Sequence, residues 1–130
     1  MGTTPVFTST VRVGSVNVSA ANTNRDGSGT ITSLLTGAAA GTKVFEIVAQ
    51  AAVTTTAGMV RIFLSVDGGT TWRLFDELSI AAATVSASVK ATRISSVYAN
   101  LVLGSASHVL GCTTHNAESI NVIALAGDLT

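Results

Sequence analysis

The stretch that most constrains the fold runs from Gly58 to Ile80, GMVRIFLSVDGGTTWRLFDELSI. Two runs rich in β-branched and aromatic residues flank Asp67-Gly68-Gly69-Thr70. Such side chains suit a pleated surface, and the glycines accept the positive φ angles of a tight reversal. The pattern predicts a β-hairpin. Successive strand side chains point to opposite sides, so the sequence also assigns faces. Before the turn, Val60, Ile62, Leu64 and Val66 share one face, and Met59, Arg61, Phe63 and Ser65 share the other. After the turn, Trp72, Leu74, Leu78 and Ile80 fall together, with Asp76 out of character among them. The apolar set predicts the core face. Arg61, Phe63, Arg73, Phe75 and Glu77 then fall on the outward face. Two phenylalanines facing outward point to burial against another subunit.

The turn has its own chemistry. The Asp67 carboxylate can accept hydrogen bonds from turn amides. Gly68 and Gly69 supply the reversal, and Trp72 can pack beneath the loop. The run Ser65-Val66-Asp67-Gly68-Gly69-Thr70-Thr71-Trp72 resembles the Asp-box of sialidase-like propellers, S-x-D-x-G-x-T-W. Propellers repeat that motif in every blade. Here it occurs once, without a catalytic arginine cluster, so the resemblance implies a stable hairpin turn and no sialidase.

The rest of the chain reads as further short strands. Residues 1–14 are expected to form an N-terminal arm or an edge strand, with Pro5 at its entry. The first twenty residues read as one long bent strand or two short ones. Further strands are expected over Thr30–Thr36, Lys43–Ala52, Val97–Leu103, Ser107–Thr114 and Ile120–Leu125, with a loop and a short strand between Ala81 and Thr92. Gly37-Ala38-Ala39-Ala40-Gly41 is too short for a stable helix. Eight or nine strands, separated by turn signals and with no convincing helix, predict an all-β, single-domain antiparallel β-sandwich, with the jelly roll as its specific form.

With 130 residues there is room for one domain and one core. Only 11% of the residues are charged, against about 25% in ordinary soluble domains, while 47% are hydrophobic. A monomer so poor in charge is weakly protected against association, which implies that much surface is covered in an assembly. Seven basic and seven acidic side chains cancel, with no basic patch for nucleic acid and no polybasic segment for a membrane surface. No apolar run approaches the ~18 residues of a membrane helix. The start has neither a charged n-region nor an apolar h-region, so no secretory signal is expected. Cys112 is the sole cysteine, which excludes an intrachain disulfide and leaves an interchain one without support.

No residue set reads as an active site. His108, Cys112 and His115 are zinc-ligand types, but as strand residues they differ in parity, and no fourth ligand is evident. Asn22, Asn24, Asp26 and Gly27 echo the start of a calcium loop. Ser33 stands where that loop needs a bidentate Glu, so a plain Asn/Asp/Gly turn is expected. Asp76 and Glu77 are adjacent and point to opposite faces, which rules out a glycosidase pair. No nucleophile elbow, phosphate loop or dinucleotide fingerprint is present. Trp72 is expected in the core by its parity with Leu74. The chain is therefore read as non-enzymatic, with no cofactor and no metal.

Three segments carry a wider resemblance: Thr4 to Thr10 (TPVFTST), Thr56 to Leu64 (TAGMVRIFL) and Thr114 to Val122 (THNAESINV). They resemble small virion structural proteins of tailed bacteriophages and prophages, which include head decoration, or cement, proteins. The resemblance implies a virion protein assembled in the host cytoplasm. It implies a homo-oligomer, with a trimer as the expected state, that binds the major capsid protein and stabilises the head. A tail or baseplate subunit, or a carbohydrate-binding module for host attachment, is the alternative.

Overall fold

The computed structural model describes residues 8–129. Eight strands follow one another: β1 (Thr8–Val18), β2 (Thr32–Thr36), β3 (Thr42–Ala51), β4 (Gly58–Ser65), β5 (Arg73–Ile80), β6 (Arg93–Leu103), β7 (Val109–Thr114) and β8 (Ile120–Leu129). They form two four-stranded antiparallel sheets, ordered β1-β8-β3-β6 and β2-β7-β4-β5. The chain is an all-β sandwich. The pairs β1·β8, β2·β7, β3·β6 and β4·β5 nest inside one another, so one long antiparallel ribbon is rolled into two layers. That is the strand order of a jelly roll.

β1 is an edge strand of the first sheet, as expected for the N-terminal region, although residues 1–7 lie outside the described residues. It is one strand, without a break at Gly14. The short strand expected between Ala81 and Thr92 reduces to two isolated bridges, Ala83 to Thr55 and Ser86 to Val89. Too few apolar residues alternate there to cover a sheet.

The core lies between the sheets. Val44, Ile47, Ala49, Leu101, Leu103, Val122 and Ala124 from the first sheet meet Leu35, Val60, Ile62, Leu78, Ile80, Leu110 and Cys112 from the second. At about 25 cal/mol per Å² of apolar surface, this interlayer is the main source of stability.

Two bulges decide where the remaining side chains go. In the β4·β5 ladder Ile62 faces Asp76 while Phe63 faces Leu74, so Phe75 is an extra residue. In β3 the register slips between Val44 and Glu46, making Phe45 the extra residue. One inserted residue reverses the alternation beyond it. Hence Trp72 and Leu74 do not share the core face of Leu78 and Ile80, and the expected core position of Trp72 is corrected. Trp72 lies on the outer side of the second sheet, and its ring covers Gly111 of β7. Gly111 has to be glycine for this close approach. A Cβ there would stand 2.6 Å from Ile31 Cγ2 and 2.9 Å from Trp72 Cζ3. The odd residue Asp76 turns inward at the sheet edge, where it accepts a hydrogen bond from Tyr98 Oη at 2.6 Å.

Candidate functional site

The second sheet does not offer an open outer face. Loop 19–31 crosses it. Ala21 bridges to Thr114, the Asn22 amide donates to the Thr114 carbonyl at 2.9 Å, and Gly27 lies against the Trp72 carbonyl. Beneath this cover Phe63 is 0% exposed and Arg61 2% exposed. The expectation that Arg61 and Phe63 meet a second subunit is therefore corrected: their partners belong to the same chain. Phe75, the bulged residue, stays 40% exposed, with its ring 5.6 Å from that of Tyr98 across the β5 and β6 edges. Arg73 is exposed, and Glu77 is half-buried.

Arg61 and Glu77 are cross-strand neighbours, and their charges are joined. Glu77 Oε2 accepts from Arg61 Nε at 2.9 Å and from Arg25 Nε at 2.8 Å. Arg25 first, and Arg61 with it, hold the Glu77 carboxyl below its ordinary value, against the opposing effect of burial. Arg61 Nη1 lies 3.2 Å from His115 Nδ1. Arginine can only donate, so Nδ1 is the acceptor in this contact. Sequence reasoning placed Arg61 and Glu77 together but missed Arg25 and His115, because no local pattern marks a loop folding back over a sheet.

The turn behaves as its residues imply. Asp67 Oδ1 accepts from the amides of Thr71 at 2.9 Å and Thr70 at 3.2 Å, and from Ser65 Oγ at 2.7 Å. Ser65 Oγ in turn accepts from the Gly69 amide at 2.8 Å. Gly68 and Gly69 have φ of 78° and 96°, values that suit glycine. The Thr71 amide and then the Ser65 hydroxyl lower the Asp67 pKa to about 2, from an ordinary 3.8. A depressed carboxylate stabilises the fold above its unfolded pKa and loses that contribution as pH falls through the folded one. Asp67→Ala is therefore expected to lower the urea midpoint at pH 7, and the gap from wild type to close between about pH 4 and pH 2. Parallel urea melts at several pH values measure this. A gap independent of pH would show that the carboxylate charge has no part in holding the turn.

The ligand-type residues are dispersed. His108 Nδ1 accepts from the Gly104 amide at 2.8 Å at one end of β7, and His115 sits at the other end. Cys112 lies between them, fully buried, its thiol pushed up to about 12 by burial. Among the described residues no three His, Cys, Asp or Glu side chains come together as a metal site. In loop 19–31 the Asn22 and Asp26 side chains serve the loop itself. Asn22 Oδ1 accepts from the Asn24 amide and Asp26 Oδ1 from the Ser28 amide, each at 3.0 Å. Among the described residues no helix is long and apolar enough to cross a membrane.

The open surface is on the first sheet. Cross-strand register puts Val11, Gly127, Lys43 and Val102 in one outward row, and Val13, Leu125, Glu46 and Val97 in the next. The bulged Phe45 stands beside Lys43, whose Nζ lies 5.8 Å from the ring centroid. Val11 is 85% exposed, Val97 77% and Val13 64%, and Phe45, Val102 and Leu125 are each more than a third exposed. Six large apolar side chains thus occupy one sheet face across all four strands. The far end of the same face is polar, with Asn17, Asn121, Gln50 and Arg93 in register. Scattered surface valines are ordinary, but a continuous apolar patch with a polar rim marks an interaction surface.

No protein-family model matches the chain, and no curated protein matches it significantly.

Proposed function

We propose that this chain is a non-enzymatic structural subunit that self-associates through the outer face of β1-β8-β3-β6. The observation that carries the reading is the apolar patch of Val11, Val13, Phe45, Val97, Val102 and Leu125. Its occupant is a second copy of the chain. The patch holds one cation, Lys43, and one anion, Glu46, so two copies meeting about a symmetry axis can pair unlike charges at no net cost in charge. Low overall charge favours the same outcome.

The resemblance to small phage virion proteins supports reading this self-association as taking place on a particle. In our reading the oligomer, a trimer, decorates the capsid, binds the major capsid protein and stabilises the head by burying intersubunit surface. Jelly rolls recur in viral capsid proteins and in lectins, so the fold alone does not select this role. Light scattering of the wild-type protein tests the first step. A stable particle larger than the 13.1 kDa chain is expected at micromolar concentration, and a monomer would overturn the proposal. Imaging of virions carrying a labelled copy tests the second step, with label on the head expected. Label confined to the tail would favour a baseplate subunit, and binding on a glycan array without particle binding would favour a carbohydrate-binding module.

A further inference from the structure

The Arg61 cluster has an unbalanced charge. Two guanidiniums, Arg25 and Arg61, share a single carboxylate oxygen, Glu77 Oε2. His115 lies against Arg61 but carries no negative charge, so it supplies no compensation. Glu77 balances the buried guanidinium of Arg61, and the positive charge left over is that of Arg25, whose side chain is 57% exposed. Buried charge without a counter-charge is costly, so Glu77 is committed to Arg61, and the exposed Arg25 is the cation that an incoming anion can share.

Beside the cluster lies a shallow pocket of about 420 Å³. Arg25, Arg61 and His115 line it together with Ala57, Met59 and Ile80, and no acidic side chain does. Arg61 uses Nε on Glu77 and Nη1 on His115, while no hydrogen bond among the described residues uses Nη2. Among those residues Thr113 Oγ1 is the only side-chain polar atom both sealed from solvent and unpaired. Arg61 is itself one of the residues that line the pocket. Two guanidiniums thus border a cavity whose other lining residues include Ala57, Met59 and Ser79.

We propose that this pocket binds a monocarboxylate with a short apolar body. The carboxylate would accept from Arg61 Nη2 and from Arg25, and its carbon chain would lie on Ala57 and Met59. A single negative charge matches the single uncompensated positive one, which favours a carboxylate over a dianionic phosphate. The site is on the sheet opposite the apolar patch, so it stands or falls independently of self-association.

The test is an amide NMR titration of the full chain with butyrate, with butyramide as the neutral control and inorganic phosphate as the dianion. Saturable shifts at Gly58, Met59 and His115 are expected with butyrate, with a dissociation constant on the order of 1 mM, the affinity open to so small a ligand. Butyramide should leave them unmoved, and phosphate should bind more weakly. Acetyl-Ala-Ala with a free C-terminus, set against its amide, asks whether the end of a peptide serves as well as a free acid. Binding of either carboxylate supports the site. Arg25→Gln alters an exposed loop residue and removes the excess charge, so it should weaken butyrate binding about tenfold while the chain stays folded. Non-saturable shifts, equal shifts with butyramide, tighter binding of phosphate, or an Arg25→Gln variant that binds butyrate as well as wild type would each overturn the proposal.

Discussion

If the chain self-associates as proposed, the double variant Val13→Asp with Val97→Asp is expected to leave it a folded monomer. The two residues share one outward row, Val13 to Leu125 to Glu46 to Val97, about 14 Å from end to end at the usual strand spacing. Both side chains already face solvent in the isolated chain, so the sandwich interior is untouched. Losing two buried valines at an interface removes roughly 3 kcal/mol, more than a hundredfold in the association constant. Burying two carboxylates in their place adds a desolvation penalty. Light scattering reads the mass, and circular dichroism checks the fold. An unchanged mass would show that the patch is not the contact, whatever the wild-type oligomer proves to be.

Phe63→Ala is expected to destabilise the fold itself, by about 3–5 kcal/mol, the usual range for truncating a buried phenylalanine. A domain of this size has only about 5–15 kcal/mol of total stability. Phe63 is fully buried, opposite Leu74 on one side and Gly111 on the other, on the face that loop 19–31 and Trp72 cover. Phe75→Ser is the contrast, because that ring is partly exposed at a sheet edge and should cost far less. Urea midpoints for both variants decide the matter. Equal small shifts would mean that loop 19–31 does not seal the outer face of the second sheet.

The contrast between those phenylalanines also shows how far the sequence could be read. Alternation located most of the strands and the central turn, because strand period and turn chemistry are local. The paired fates of Phe63 and Phe75 were not local. The bulge at Phe75 is one inserted residue, and its trace in the sequence was the misplaced Asp76, which reads as an exception until Tyr98 is seen to donate to it. Arg61 reads as a surface residue because nothing near it announces that Arg25, from another loop, will fold over Glu77. In β1 residue type is an equally poor guide: Val11 and Val13 face out while Arg12 turns to the inner side and pairs with Asp128 at 3.1 Å. Which face of an amphipathic edge strand is covered depends on the partner layer, and residue type alone does not encode it. The apolar patch was therefore legible only as a composition, too many hydrophobic residues for the charge available, and not as a place.

The nested ribbon has a consequence for how the chain comes to be made. Each of the first three strands takes its hydrogen-bonded partners from the second half: β1 from β8, β2 from β7, β3 from β6 and β8. Only β4 and β5 are both sequence neighbours and ladder partners. A ribosome delivering the chain from its N-terminus thus releases three strands with no place to go until the hairpin has closed and the returning strands emerge. Such long-range pairing is slow to form, because the connecting loops must be ordered before any contact rewards it. During that interval the valines of β1 and the aliphatic residues of β3 are unpaired edges on a chain with few charges to keep them apart. The scarcity of charge that leaves the folded surface open to association therefore acts earlier too, on strands that have emerged without their partners.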